Sequence, residues 1–279
     1  PGLSRSFVQQ LIDQGMVTVD GRAPKSKFKV TPGQMIQLDV PEPEVVGLEP
    51  EDIPLDIVFE NGDVIVLNKP AGMVVHPAPG HGEGTLVNAL IGHCGEQLSG
   101  IGGVRRPGIV HRLDKDTSGL ILAARNAAAM HKLMAQFQAR TVEKMYVTLV
   151  ERPPKTTTGR IEAPIARDPA DRKRMAVQRG GRPAISEFET IQRYKEGYAL
   201  LHVRLLTGRT HQIRVHMAFI DCPVVGDAVY GYRRQRLMRG QFLHAARLCF
   251  DHPRTGERLC FEAPLSPRLQ AVLESLTPI

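Results

Sequence analysis

At 279 residues, 42% of them apolar, the chain can bury a sizeable core, as one large domain or a small one followed by a larger one. It has no apolar run near the roughly 20 residues that span a bilayer and no basic stretch leading into a short apolar one, so the expectation is a soluble, cytoplasmic protein. The net charge of +7 favours a polyanionic partner.

The chain opens at Pro1 without an initiator methionine, so its start reads as missing. Phe7, Val8, Leu11 and Ile12 recur at helical spacing, Ser4 or Ser6 can cap, and Gly15 stands where a helix ends. "MVTVDGRAP" predicts a strand entering an Asp-Gly turn, and "QMIQLDV" predicts a second, alternating strand. The Pro- and Glu-rich "PEPEVVGLEPEDIP" reads as an acidic linker. Domain limits of 1–44, 45–54 and 55–279 follow.

Beyond the linker, "DVIVLNKPAGMVVHPAP" predicts strand, turn and strand, and "TLVNALIGHC" a short helix. "GIVHRLDKDTSGLILAARN" places a charged loop between two apolar stretches that read as strands. "AAAMHKLMAQFQAR" predicts a helix with Met130, Leu133, Met134 and Phe137 on a core-facing side. "EKMYVTLVE", "ISEFETIQRY", "YALLHVRLLTG" and "ARLCFDHPRTGERLCFEAP" alternate as strands, the last as a hairpin. "RTHQIRVHMAFI" and "SPRLQAVLESL" return to helical spacing. Without a regular strand-helix order, the fold class expected is α+β around a largely antiparallel sheet.

Several chemistries can be set aside. "HRLDKD" lacks the spacing of a kinase catalytic loop, and "GHGEGT" lacks the Lys-Ser/Thr of a phosphate loop. The well-separated Cys94, Cys222, Cys249 and Cys260 read as reduced structural thiols, with neither a zinc site nor a disulfide framework. His211 and His216 are five apart without an evident third ligand, so no metal is expected and a helix-terminal or RNA-facing role is preferred. Asp114 and Asp116 could be a glycosidase pair, but two carboxylates in one tight loop do not readily straddle a sugar. One ionised, nucleophilic carboxylate fits better. The plain alternative is that Asp114 pairs with Arg112 or Lys115 in a turn.

"HRLDKDTSGLILAARN" resembles the signature of the RluA/RluD-type pseudouridine synthases of large-subunit ribosomal RNA. "NKPAGMVVHP", "EKMYVTLV" and "LLTGRTHQIRVHMAFIDCPVVGDAVYG" agree in the same order. The resemblance implies a pseudouridine synthase fold with a mixed, largely antiparallel sheet. It is preceded by a partial S4-like RNA-binding domain that lacks its usual first helix. The implied reaction breaks the N1 glycosidic bond of uridine, turns the ring and joins C5 to the ribose, without cofactor or metal.

By the same resemblance Asp114 is the catalytic carboxylate, acting at ribose C1′, at C6 of the ring, or in glycal formation. Arg214 pairs with it, holding it ionised and oriented, and Tyr146 stacks on the uracil. Tyr146 alternates away from Met145 and Val147, so it is expected to leave the apolar face of its strand. Arg112 fills the space left as the base flips, and Leu113 forms the pocket wall. Lys115 and Arg209 join the RNA-contacting set with His111, which otherwise orients or supports. Basic tracts at Arg167, Arg172, Lys173, Arg174, Arg179 and Arg182, and at Arg233, Arg234, Arg236 and Arg239, are expected to hold phosphates. The expected partner is large-subunit RNA, bound by a monomer. Transfer RNA, a noncatalytic assembly factor and a glycosidase are the alternatives.

Overall fold

The computed structural model describes residues 5–25, 28–39, 48–77, 82–98, 107–171, 174–232 and 237–279. They belong to two compact units, Pro1–Gly47 and Leu48–Ile279.

In the first unit, helix α1 (Arg5–Asp13) buries Leu11 and ends at Gly15, whose φ of +74° is a conformation glycine adopts without strain. β1 (Val17–Val19) pairs antiparallel with β2 (Ile36–Leu38). Asp20 and Gly21 turn the chain after β1 with positive φ, and the Asp20 carboxylate accepts from the Met35 amide. The alternation expected for the second strand gives no buried face here, since Ile36, Gln37 and Leu38 are all exposed.

The second unit contains β3 (Ile57–Glu60), β4 (Val64–Lys69), α2 (Leu86–Cys94), β5 (Ser118–Ala124), α3 (Ala127–Ala139) and β6 (Glu143–Val150). It continues with β7 (Thr158–Glu162), β8 (Ile165–Arg167), β9 (Met175–Val177), β10 (Ile185–Arg193), β11 (Ala199–Leu205) and α4 (Gln212–Phe219). β12 (Leu243–Asp251), β13 (Arg258–Glu262) and α5 (Pro267–Glu274) close it. Nine strands form one sheet in the order β3-β4-β5-β12-β6-β11-β10-β7, with β13 beside β12. Only β5 and β12 run parallel among its described pairings; the rest are antiparallel. This is the α+β class expected.

β4 and β5 sit deep because their sequences, VIVLNK and SGLILAA, lack the polar alternation of a solvated strand, and every residue of β5 is buried. Each buried Leu or Ile contributes about 1.5–3 kcal/mol. Gly119 is required where β5 begins. Its φ is +107°, and a Cβ there would lie 2.4 Å from Ala245 O on β12. This close approach anchors the end of the charged loop to the middle of the sheet.

Four expectations change. The stretch after the Pro-Ala-Gly turn is not a strand; Val74 O and Val75 O instead accept the Leu86 and Val87 amides at the start of α2. Residues 41–47 of the Pro- and Glu-rich stretch lie outside the described residues, whereas Leu48 packs on the core and Glu51 accepts the Gly84 amide and donates its own to Asn88 O. Glu51, within the stretch expected as an acidic linker, thus anchors the turn that leads into α2. Cys249 and Cys260 form a disulfide, because the β12–β13 register sets them directly opposite one another. Finally, the apolar stretch before the charged loop is not a strand; it contributes an isolated bridge, Ile109 to Ala123.

Candidate active site

The charged loop leaves that bridge, turns at Asp114–Thr117 with the Thr117 amide on Asp114 O, and enters β5. Two side chains hold it from below. His111 Nε2 accepts the Leu122 amide at 2.9 Å, replacing a backbone carbonyl along the edge of β5, and the ring stacks on Phe137. Burial pushes this imidazole down to about 3, with Lys144 adding to the effect, so it stays neutral with its proton on Nδ1. Lys69, 1% exposed at the end of β4, donates to Pro70 O, Met73 O and Lys115 O at 2.7, 2.9 and 3.1 Å. Burial lowers its pKa to about 8, partly offset by Asp116 and Asp114.

Across from the loop, α4 begins at His211, and Gln212 secures the turn. Its Oε1 accepts from Thr207 Oγ1 and the Arg209 amide, and its Nε2 donates to Ile185 O. One turn on, Arg214 Nη1 donates to Asp114 Oδ2 at 2.9 Å. Its Nε and Nη2 grip both oxygens of Asp227, which also accepts the Val229 and Tyr230 amides. Burial alone would lower the arginine pKa, but Asp227 and Asp114 outweigh it and raise it. Burial likewise opposes ionisation of Asp227, and Arg214 reverses this, leaving the carboxyl below its ordinary value.

Tyr230 Oη accepts the Met175 amide, so its own proton can go to His211 Nδ1 at 2.9 Å. With that donation the His211 proton sits on Nε2, which lies 4.0 Å from Asp114 Oδ1.

The charged loop and the start of α4 border a cavity of about 530 Å³, while Lys69, Asp227 and Tyr230 stand behind its lining. Asp114, Arg214, Tyr146, Arg112, Leu113, His111 and Arg209 all line it. Lys115 does not; its side chain is exposed and its carbonyl takes the Gly72 amide and the Lys69 ammonium. Tyr146 stays in the apolar core at 6% exposure, presenting its ring to the cavity without leaving the strand's buried face. Burial, then Asp114, raises its phenol pKa, so the hydroxyl keeps its proton at neutral pH. Met134 is half exposed and, with Phe137, faces the cavity, so only Met130 and Leu133 of that helix face are fully buried.

Residues 63–219, more than half of the chain, match the family model described as RNA pseudouridylate synthase. The chain belongs to the RNA pseudouridylate synthase family. Residues 1–36 match the S4 domain. The uncharacterized RNA pseudouridine synthase YlyB of Bacillus subtilis is 49% identical over 98% of this chain and 89% of its own length. The ribosomal large subunit pseudouridine synthase D of Zymomonas mobilis is 42% identical over 98% of this chain and 90% of its own. The solved human RNA pseudouridylate synthase domain containing 1 superposes with TM-score 0.65 and 26% identity, covering 82% of this chain and 90% of that one.

As a pseudouridine synthase, the enzyme isomerises uridine in RNA. Its site holds groups that sequence reading passed over. Asp227 lies in the "GDAVYG" block and Lys69 in "NKPAG", one in a loop and one at the end of β4, and neither charged group announces its partners. His216 faces neither RNA nor metal: it is buried between Ser186 Oγ and Ala163 O. Arg174 sits over the Tyr230 ring. Arg172, Lys173, Arg233, Arg234 and Arg236 lie outside the described residues. Glu60, His93 and Cys94 bring potential metal ligands within 4.8 Å of one another, away from the cavity lining. Glu60 is already engaged there by Arg125 at 2.8 Å and His93 at 3.0 Å. Among the described residues, no helix is long and apolar enough to cross a membrane.

Proposed function

We propose that this enzyme isomerises uridines in large-subunit ribosomal RNA, with Asp114 as the nucleophile and Arg112 replacing the flipped base in the RNA stack. The observation that carries the reading is the Asp114–Arg214 pair, 2.9 Å apart on the wall of a cavity that also presents the Tyr146 ring. Attack at C1′, attack at C6 and assistance to glycal formation all begin from an aimed, charge-paired carboxylate. Tyr146 stacks on the uracil, and its protonated hydroxyl acts as a hydrogen-bond donor near C5. The exposed Arg112 at the cavity supplies a planar cation that can stack in the gap.

A relative named for the ribosomal large subunit, aligned over 98% of the chain, favours that RNA over transfer RNA. The site argues against a glycosidase. Asp227 is the second carboxylate on Arg214, and both its oxygens are occupied by donors, so it has no proton to deliver to a leaving group. An assembly factor without catalysis would not need the intact Asp114, Arg214 and Tyr146 set.

Pseudouridine mapping by carbodiimide labelling and primer extension tests the reading on large-subunit RNA and, in parallel, on transfer RNA, each treated with wild type or Asp114→Asn. Stops with wild type alone are expected. Equal stops with the variant overturn the nucleophile, and stops only on transfer RNA overturn the substrate.

A further inference from the structure

Arg112, Arg140, Lys144, Arg182, Arg209 and Arg214 line the cavity, against the single carboxylate of Asp114. Arg214 is consumed by Asp114 and Asp227. Among the described residues, Arg140, Lys144, Arg182 and Arg209 make no ion pair, and Arg209 spends one donor on Pro183 O.

These charges crowd one another. Burial pushes the Lys144 ammonium down to about 8, and Arg140 and Arg209 add to the shift. Arg209 is lowered by burial and then by Arg182 and Arg140. The Lys144 Nζ stands 5.7 Å from the centre of the Phe137 ring. Facing it, Gly208 leaves room: a Cβ there would come within 4.0 Å of the ammonium. Gathering uncompensated cations in a concave, partly desolvated place does not favour folding, but it does concentrate an anion.

We infer that Lys144, Arg140 and Arg209 form a subsite for one backbone phosphodiester flanking the target uridine. The inference rests on the proposed RNA reaction. Its geometry comes from β6: Lys144 and Tyr146 are two residues apart and share a face, about 7 Å along the strand. A ribose bridges such a span between its base and its phosphate. With uracil on Tyr146, the phosphate meets Lys144, while Arg140 from the end of α3 and Arg209 from the loop before α4 close on its other oxygens.

The test uses a short RNA carrying the mapped uridine, with a neutral methylphosphonate placed at each flanking phosphodiester in turn. Wild type is expected to lose about tenfold in kcat/KM at one position, the effect of one hydrogen bond between charged groups. Lys144→Met should show about that loss on unmodified RNA and no further loss at that position. Lys144→Arg should keep most of the activity, and the Tm of Lys144→Met should not fall below wild type. Losses that multiply at both positions, or an unchanged kcat/KM for Lys144→Met, overturn the subsite. If wild type forms no pseudouridine in unmodified RNA, the functional reading fails instead. Equilibrium binding of the same oligonucleotides then makes the same comparison for the subsite.

Discussion

Arg214 and Asp227 meet through two parallel hydrogen bonds, 2.7 and 2.9 Å long, with the Asp227 side chain fully out of solvent. The only other guanidinium nitrogen, Nη1, points at Asp114. Asp227 therefore acts on the reacting carboxylate by fixing the rotation of the arginine between them. Asp227→Ala leaves two buried guanidinium nitrogens without their acceptors and should cost about 3–5 kcal/mol, read as a lower denaturation midpoint. Asp227→Asn keeps the shape and one acceptor, so it should fold while losing kcat with little change in KM. A folded Asp227→Asn enzyme with wild-type kcat contradicts the positioning role.

Lys69 does for the loop what Asp227 does for the arginine. Its ammonium ties Lys115 O to the turn after β4, directly beneath Asp114 and Asp116. Lys69→Met removes a costly buried charge but takes the ammonium donor from Pro70 O and Met73 O, each worth about 1–3 kcal/mol when buried, and leaves Lys115 O with the Gly72 amide alone. The expected result is a less stable protein whose kcat falls more than its RNA affinity, measured by denaturation and single-turnover rates. Loss of RNA affinity with unchanged kcat indicates a different role.

Many strands and helices of the catalytic unit were legible from apolar runs, alternation and helical spacing, as in the fully apolar β5 and in α3, whereas β3, β7, β8 and β9 are too short or too polar to stand out, and the apolar stretches after the Pro-Ala-Gly turn and before the charged loop do not form strands. A nucleophilic carboxylate in the charged loop was legible from its residues, but its grouping with Arg214 and Tyr146 came only through the resemblance, since the three stand on a loop, a helix and a strand far apart in the chain. Asp227 and Lys69 were not legible. A buried charge looks like a surface charge until its partners are known, and those partners are backbone groups and an arginine brought in by the fold. The disulfide was hidden similarly: its cysteines are eleven residues apart, and only the register of β12 on β13 sets them opposite.

Arg112 is exposed at the cavity, while its neighbour Leu113 is buried at 4%. That split suits one residue entering the RNA and the next packing the wall. Extruding a stacked base costs a few kcal/mol. Arg112→Ala should thus slow turnover strongly on a structured RNA and less on one whose target uridine is already unstacked. Single-turnover rates on the two substrates decide it, and an equal loss on both removes Arg112 from the flipping step.

Lys144 sets a pH signature. The Arg140 and Arg209 guanidiniums and the His111 and Phe137 rings face it at the cavity, with Arg182 beyond Arg209, and Glu143, Arg204 and Arg247 border it from β6 and the neighbouring strands. The arginines keep their charge through the alkaline range, and His111 is pushed down to about 3, so within this group Lys144 titrates near 8. In the free enzyme kcat/KM should fall as the pH rises through about 8, while the ammonium loses its proton and its hold on phosphate. Lys69 titrates in the same range, but Lys144→Arg leaves it untouched and should move this part of the fall to higher pH. The stability effect has the opposite sign. The folded value of about 8 lies below the ordinary 10.5, so the unfolded chain holds the extra proton between them, and the penalty of the buried charge fades as the pH climbs. Lys144→Met should therefore be more stable than wild type at pH near 7, with the gain shrinking between about 8 and 10.5. Thermal melts across that range, alongside kcat/KM profiles of wild type and Lys144→Arg, measure both, and coincident profiles for the two enzymes assign the alkaline fall to another group.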